Sequence, residues 1–208
     1  MGFVKQHREP ASALAEASTE RRSFEVLAGE LQHADPTVRR WAARDLTDCP
    51  EASKALVDRL QREEDISVRE VILSTLTTHG DDIAVGGLVE CLRSENVSLR
   101  NEAIEAMKQL PKEVAPIMQG LLDDEDSDVR IFAVNVLESL RHPEVESWLI
   151  AVIEKDPELN VCATAVDLLG EVGTSAARGP LGRLKARYSG EPYIQFAADV
   201  ALKRLGGD

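Results

Sequence analysis

The residues of this sequence whose spacing could support chemistry are concentrated in an acidic run at positions 123–128. Asp124, Asp126 and Asp128 alternate in the way that a calcium-binding loop begins, where carboxylate oxygens are the preferred ligands. Such a loop next requires glycine at its sixth position and glutamate at its twelfth, but Val129 and Asn135 occupy those positions. We therefore interpret the run as a turn followed by the N-cap of a helix, and we predict no metal site there.

Other residue types with catalytic or ligand-binding potential are too widely spaced to form a recognisable centre. No H-x-x-x-H or C-x-x-C pair, glycine-rich phosphate loop or G-x-S-x-G sequence occurs in the chain. The scattered residues are His7, His33, His79, His142, Cys49, Cys91 and Cys162. We predict a protein that is not an enzyme, with no catalytic residues, no cofactor and no bound metal.

The net charge of the chain indicates which kinds of partner it can bind. The sequence has 24 lysines and arginines against 37 acidic residues, a formal net charge of −13. A chain this acidic is repelled by phosphate backbones and anionic lipids, so we predict that it binds neither nucleic acid nor membranes. The N-terminus lacks the apolar stretch of a secretion signal, and no apolar run approaches the roughly 18 residues of a membrane span. Three widely spaced cysteines suit reduced thiols, so a cytoplasmic location is predicted.

A six-fold repeat predicts the elements that position these residues. Each copy has an acidic or amide residue, an aliphatic marker three residues later, and a mostly small residue four further on, as in Asp126, Val129 and Ala133. The markers are Val38, Val68, Leu99, Val129, Val161 and Ile194, spaced 30, 31, 30, 32 and 33 residues apart. Apolar residues at marker positions 0, +4, +8 and +11 form one stripe of a helix. A period of this length predicts one helical hairpin per copy, stacked into a solenoid.

The same repeat predicts the domain organisation. Residues 1–19 fall outside it and are polar, so we expect a flexible N-terminal tail. The solenoid is expected to occupy 20–208. Its repeats are predicted at approximately 20–50, 51–80, 81–111, 112–142, 143–173 and 174–208. In each repeat a shorter first helix precedes the second helix that carries the motif, and in the fourth repeat the first helix is predicted at 113–122.

Hairpins with D-x-x-V-R-x-x-A-x-x-x-L on the second helix resemble HEAT repeats, in particular the short, regular repeats of bacterial and archaeal HEAT-like proteins. The resemblance covers about residues 20–206. It implies an all-α fold, a right-handed α-solenoid (a HEAT-like superhelix) of about six helical hairpins. It also implies that the second helices line the concave face of the solenoid.

In that family the acidic residue and the arginine of the motif form a ladder of hydrogen bonds between adjacent repeats. Carried over to this chain, the pairs of the ladder would be Asp35/Arg39, Asp65/Arg69, Asn96/Arg100 and Asp126/Arg130. Cys162 and Gln195 replace the arginine in the last two repeats, so charged pairs are expected to be missing there. Regular recurrence favours a structural role for these pairs over a catalytic one, because stacking requires the same contacts in every repeat.

Exposed positions of the second helices predict a partner-binding surface. Positions +2, +6 and +9 from each marker should face the concave side. The predicted contact residues are Arg40, Arg44, Glu70, Asn101, Glu105, Ile131, Asn135 and Phe196. Their character changes from basic in the first repeat to apolar at Ile131 and Phe196, and apolar residues within a polar rim are typical of docking surfaces. A solvated face with incidental apolar residues is the alternative interpretation.

We therefore predict a non-enzymatic interaction module: an adaptor, chaperone-like or regulatory scaffold that binds another protein on its concave face and is monomeric alone. Two alternatives follow from the resemblance. Short HEAT-like repeats are similar to those of phycobilin lyases, which attach or detach bilins on phycobiliproteins, although no residue here marks a bilin site. Some DNA glycosylases are also built from HEAT-like repeats, but they need a cationic groove with aromatic residues, and this chain is acidic with 4% aromatic residues.

Overall fold

A computed structural model describes residues 22–206 of the chain. The predicted tail, residues 1–19, lies outside the described residues. Every regular element between residues 22 and 206 is a helix, which confirms the predicted all-α class. The helices follow one another in six hairpins, as the period of the motif predicts.

The α-helices are numbered here in chain order. Their bounds are α1 Phe24–Glu30, α2 Pro36–Asp45, α3 Ser53–Leu60, α4 Ile66–His79, α5 Asp82–Cys91, α6 Val97–Met107, α7 Pro111–Val114, α8 Met118–Leu122, α9 Ser127–Leu137, α10 Val145–Lys155, α11 Leu159–Val172, α12 Arg178–Arg187 and α13 Pro192–Gly206. The second helices of the six hairpins are α2, α4, α6, α9, α11 and α13. None of these helices is long and apolar enough to span a membrane.

The hairpins stack in two layers, because helices of one type pack against the same type in the next repeat. The second helices pair in order from α2 with α4 to α11 with α13, and the first helices pair likewise, as in α3 with α5 and α10 with α12. The +4 positions of all six second helices are completely buried. They are Ala42, Ile72, Ala103, Ala133, Ala165 and Ala198. Five of the six are alanine, and this small side chain permits close approach of neighbouring helices.

Four of the six second helices, α2, α4, α6 and α9, begin at a residue whose side chain caps the helix. Asp35 accepts a hydrogen bond from the Thr37 backbone N–H at 2.8 Å, and Asp65 accepts one from the Val68 N–H at 3.1 Å. These contacts satisfy N–H groups that have no partner within the helix. Gly80 follows α4 with a φ of 58°, a left-handed conformation that favours glycine and ends the helix.

The first helix of the fourth repeat differs from the predicted single helix at 113–122. It begins earlier, with α7 at Pro111, and a 3-10 turn over Ala115–Ile117 separates α7 from α8. Pro116 lies in the middle of that turn. Proline has no N–H to donate and its ring clashes with the preceding turn, so the helix is interrupted there.

Gly87 on α5 is required where α5 packs against α3. A Cβ at position 87 would lie 2.3 and 2.7 Å from the two Cγ atoms of Val57 and 3.1 Å from its Cβ, so rotating Val57 does not relieve the contact. Gly87→Ala is therefore expected to lower the free energy of unfolding by about 1–3 kcal/mol.

Gly86 supplies the matched control for this prediction, because a Cβ at position 86 has nothing within 4 Å. Gly86→Ala is expected to raise the free energy of unfolding by up to about 1 kcal/mol, since alanine is the better helix former. Urea unfolding followed by circular dichroism measures both variants. Equal effects of the two substitutions would contradict the close packing of α3 and α5.

Candidate partner-binding face

The predicted contact residues lie on α2, α4, α6, α9 and α13, on the side of the second-helix layer that is turned away from the first helices. We call this surface the second-helix face. Six of the eight are exposed: Arg40, Arg44, Glu70, Asn101, Glu105 and Phe196. Ile131 and Asn135 are half-buried, and Ile131 packs against the core. The apolar patch expected at Ile131 is therefore largely covered by its own fold.

A gap between α4 and α6 brings three of the predicted residues together. Glu70, Asn101 and Glu105 line a hollow of about 500 Å³, and Glu102 also borders it. Arg69 donates to both carboxylate oxygens of Glu102 at 2.9 and 3.0 Å, and these hydrogen bonds hold the pKa of Glu102 below its usual value. Among the carboxylates that line this gap, Glu102 is paired with Arg69 and Glu105 with Lys108, so Glu70 is the one without an ion pair to any described residue.

A second gap, between α9 and α11, is also lined by carboxylates. Asn135 borders a hollow of about 250 Å³ together with Glu138, Asp167 and Glu171. The Tyr193 hydroxyl donates to an oxygen of Asp167 at 3.0 Å, which ties the sixth repeat to the fifth. Glu138 and Asp167 occupy the +9 and +6 positions that the repeat predicts for this face, whereas Glu171 lies at +10, just outside the predicted positions.

Arg40 and Arg44 form a cluster with Trp41 at the first repeat. The guanidinium carbon of Arg44 lies 4.1 Å from the centroid of the Trp41 ring, and that of Arg40 lies 5.9 Å away, distances suited to cation–π attraction. Trp41 is 43% exposed. The equivalent residue of the fourth repeat, Phe132, is half-buried beneath Arg100 of the preceding repeat, and the described residues contain no repeat before α1.

Two aromatic side chains are exposed at the other end of the solenoid. Phe196 and Tyr193 lie three residues apart on α13 and are 68% and 55% exposed. Residues with this spacing are neighbours on a helix surface. Exposed aromatic residues therefore occur in the first and sixth repeats, and such residues are frequent anchors of protein interfaces.

An arginine ladder joins adjacent repeats, but its carboxylates are not those of the motif. The bidentate pairs are Arg39–Glu63, Arg69–Glu102 and Arg130–Asp156, with nitrogen–oxygen distances of 2.7–3.1 Å. The expected partners Asp35, Asp65 and Asp126 instead cap their own helices. Each of the three arginines also donates to two carbonyl oxygens of the turn before its helix. Each of these arginines therefore stabilises the turn of its own repeat and links that repeat to the next one.

The third pair of the expected ladder lacks a carboxylate. Asn96 caps α6 by accepting from the backbone N–H groups of Ser98 and Leu99 at 3.0 and 3.2 Å. Arg100 donates to the Ser94 carbonyl oxygen at 2.6 Å and lies over the Phe132 ring, and it pairs with no carboxylate among residues 22–206. In place of an ion pair, Arg100 contacts the next repeat through the Phe132 ring.

A second repeated position was missed by the sequence analysis; it lies two residues before the N-cap residue of the second helix in the first five repeats. Its side chain accepts a hydrogen bond from the backbone N–H of the capping residue at 2.9–3.2 Å. The residues are His33, Glu63, Ser94, Asp124 and Asp156. All five can accept hydrogen bonds, which is the signature of a side-chain-supported turn and could have revealed the position. The carboxylates of Glu63 and Asp156 also accept hydrogen bonds from the ladder arginine of the preceding repeat, Arg39 and Arg130 respectively.

Cys162 stands where the earlier repeats have the ladder arginine. Two residues of the sixth repeat make the contacts to turn carbonyls that this arginine would make. Arg187 donates to the Asp156 carbonyl oxygen at 3.2 Å and to the Cys162 Sγ at 3.1 Å, and Tyr188 donates to the Pro157 carbonyl oxygen at 3.1 Å. These two carbonyls are equivalent to the ones that Arg39 and the other ladder arginines bind in earlier repeats. Burial raises the pKa of the Cys162 thiol, although the charge of Arg187 opposes this effect, so the thiol stays protonated.

Asp124 and Asp126, in the acidic run at 123–128, make internal contacts. The guanidinium of Arg93 donates to the two carboxylate oxygens of Asp124 at 3.1 and 2.5 Å. These hydrogen bonds hold the pKa of Asp124 below its usual value. Asp126 caps α9 through the Asp128 backbone N–H. No group of three or more His, Cys, Asp or Glu side chains in the described part of the chain is arranged to hold a metal ion.

Another hollow lies beside the interrupted first helix of the fourth repeat and reaches Lys108 and Gln109 at the end of α6. Its volume is about 1100 Å³, and Pro116, Lys112, Arg141 and Trp148 are among its lining residues. The His142 ring stacks on Trp148 with centroids 4.9 Å apart. Neither Lys112 nor Arg141 forms an ion pair with any of residues 22–206. The sequence analysis did not predict this hollow, because it depends on the break at Pro116.

Comparison with known proteins identifies related sequences and structures. The sequence profile of HEAT repeats matches residues 24–108 and 114–203. The uncharacterized phycocyanin operon protein Z of Pseudanabaena tenuis (strain PCC 7409) is 23% identical over 195 residues, which cover 88% of this chain and 95% of that protein.

Two solved structures are also similar. The archaeal HEAT-like repeats protein from Thermococcus onnurineus NA1 is 15% identical with a TM-score of 0.46, and the match covers 94% of this chain and 91% of that one. The complex of CpcE and CpcF of phycocyanin lyase from Nostoc sp. PCC7120 contains a chain that is 18% identical with a TM-score of 0.38, and the match covers 97% of this chain and 100% of that one.

Proposed function

The chain belongs to the HEAT-repeat family, and we propose that this HEAT-like repeat scaffold binds a partner protein on its second-helix face. In this proposal the contact residues are those predicted from the repeat, with Arg40 and Arg44 in the first repeat, Glu70, Asn101 and Glu105 in the centre and Phe196 in the sixth. The protein then acts as an adaptor or regulatory scaffold rather than through chemistry of its own.

The observation that carries this proposal is the combination of open gaps and exposed anchors on one face. Hollows of about 500 and 250 Å³ lie between neighbouring second helices. Trp41 and Phe196 are exposed at the two ends of the stack. Six second helices spaced about 8–10 Å apart give a surface long enough for an interface of ordinary size, about 800 Å² per partner.

Photo-crosslinking tests which face binds the partner. A photoreactive residue at position 101, on the second-helix face, is expected to form an adduct with a defined protein in the native cell extract. The same residue at position 90, exposed on α5 in the first-helix layer, is the matched control and is expected to form none. The double variant Arg40→Glu/Arg44→Glu is expected to weaken capture at least tenfold, since it reverses two exposed charges of the interface. Adducts from position 90 alone would contradict the proposal.

A second candidate function is a lyase-like subunit that acts on a tetrapyrrole-bearing protein. It is supported by the 23% identity to a phycocyanin operon protein and by the 1100 Å³ hollow, where Lys112 and Arg141 could neutralise carboxylates of a bilin. Titration of the protein with a free bilin distinguishes the two candidates. A shifted absorbance band that is lost in Lys112→Glu/Arg141→Glu supports the second candidate, and an unchanged spectrum rejects it.

A further inference from the structure

The five junctions between consecutive repeats differ in the side-chain hydrogen bonds that cross them. At four junctions, an arginine forms hydrogen bonds across the junction in which the arginine, its partner or both are buried. These arginines are Arg39, Arg69, Arg130 and Arg187. Among residues 22–206, no arginine of this kind crosses from the third repeat to the fourth, because Arg100 lies over a ring and pairs with no carboxylate.

The ion pairs that do cross from the third repeat to the fourth lie at the surface. Arg93, which is 41% exposed, donates to Asp124, the residue that stands where the second and fifth repeats have a ladder carboxylate. Lys108 donates to Glu138, which is 58% exposed, at 2.9 Å. Water and salt compete with such exposed pairs, so they contribute little to stability. They tether the two repeats without fixing the angle between them.

The first-helix layer is divided beside the same junction. A 3-10 turn over Ala115–Ile117 separates α7 from α8 within the fourth repeat. On one side of this turn α7 packs against α5 of the third repeat, and on the other side α8 packs against α10 of the fifth. Pro116 in the turn cannot donate a backbone hydrogen bond to the preceding turn. The hollow of about 1100 Å³ lies along this break and leaves room for the two parts to move.

We propose that the junction between the third and fourth repeats is a hinge, about which repeats one to three rotate relative to repeats four to six. Packed units move relative to each other where few buried contacts join them, and short breaks between helices absorb the change in backbone angles. Rotation at this junction changes the angle between α6 and α9 and therefore the curvature of the second-helix face. The inference goes beyond the proposed function, because it concerns the motion of the scaffold with or without a partner.

Double electron–electron resonance on the whole chain tests where the motion occurs. Pairs of spin labels, attached through a non-natural amino acid, are placed two repeats apart, about 16–20 Å along the stack. The pair at positions 90 and 147 crosses the proposed hinge. The control pairs, at positions 29 and 90 and at positions 120 and 186, cross other junctions only, and all five positions are exposed. The distance distribution of the 90/147 pair is expected to be about twice as wide as those of both controls.

Phe132→Glu tests whether the missing ladder pair causes the motion. Position 132 of the fourth repeat is equivalent to Glu102 of the third, which the ladder arginine Arg69 binds. The guanidinium carbon of Arg100 lies 5.6 Å from the centroid of the Phe132 ring, so a carboxylate at position 132 is within its reach. The variant is expected to narrow the 90/147 distribution to the width of the controls. Phe132→Gln removes the ring without adding a charge, and it should leave the distribution at least as wide as in the wild type.

Two results would overturn this assignment. One is a 90/147 distribution in the wild type that is no wider than those of the control pairs, a result that does not depend on any variant being folded. The other is a Phe132→Glu variant, shown to be folded by circular dichroism, whose 90/147 distribution is as wide as that of the wild type.

Discussion

Replacing Arg130 with alanine is expected to lower the free energy of unfolding by about 3–5 kcal/mol. Arg130 donates to both oxygens of Asp156 at 2.7 and 3.1 Å, and the two side chains are only 10% and 5% exposed. It also satisfies the carbonyl oxygens of Asp124 and Glu125. The variant would remove both hydrogen bonds that the guanidinium of Arg130 donates to the buried Asp156 carboxylate, and a buried charge that loses its paired partner is costly to keep from water.

Arg100→Ala is the matched control for this prediction. Arg100 occupies the same position one repeat earlier, but it is half-buried and pairs with no carboxylate in the described part of the chain. Its loss is expected to cost about 1 kcal/mol, the usual contribution of one hydrogen bond. Urea unfolding followed by circular dichroism measures both. If both variants lost the same free energy of unfolding, the ion pair of Arg130 with Asp156 would contribute nothing beyond the hydrogen bonds to the turn carbonyls.

Acidification from pH 5 to pH 2 is expected to remove about 3 kcal/mol of stability through Glu63 alone. The Glu63 side chain is fully buried. Burial by itself would raise its pKa, but hydrogen bonds from Arg39, Arg59 and the Asp65 backbone N–H outweigh burial and lower the pKa to about 2. A carboxyl with a depressed pKa in the folded state stabilises the fold above its unfolded pKa, near 4.5, and this contribution is lost as the pH falls toward 2.

Glu63→Gln tests the origin of this acid sensitivity. The variant is expected to be less stable than the wild type at neutral pH, and the difference should shrink steadily as the pH falls from 5 to 2. Glu64→Gln changes the adjacent, exposed carboxyl and is expected to follow the wild-type pH profile. A stability difference for Glu63→Gln that does not depend on pH would contradict the assigned pKa.

The repeat in the sequence predicted which residues of the second-helix face are exposed in most cases. Arg40, Arg44 and Glu70 are exposed as their positions predict, because outward positions of a helix follow from its period. Ile131 is half-buried, since a side chain at the edge of the stripe can lean onto the core, and periodicity does not determine how far it leans. Trp41 is exposed, whereas Phe132 at the same position of the fourth repeat lies beneath Arg100 of the preceding repeat, and the motif alone does not show such contacts between repeats.

The sequence by itself determined the hairpins, their order and the helix caps. These depend on residues within a few positions of one another, such as Asp65 and Val68 at the start of α4, and the same kind of cap begins α2, α6 and α9. The tertiary structure decided which carboxylate each arginine binds. That choice depends on what the next repeat places within reach: Glu63 for Arg39, but Glu102 for Arg69, because Ser94 stands where Glu63 stands one repeat earlier.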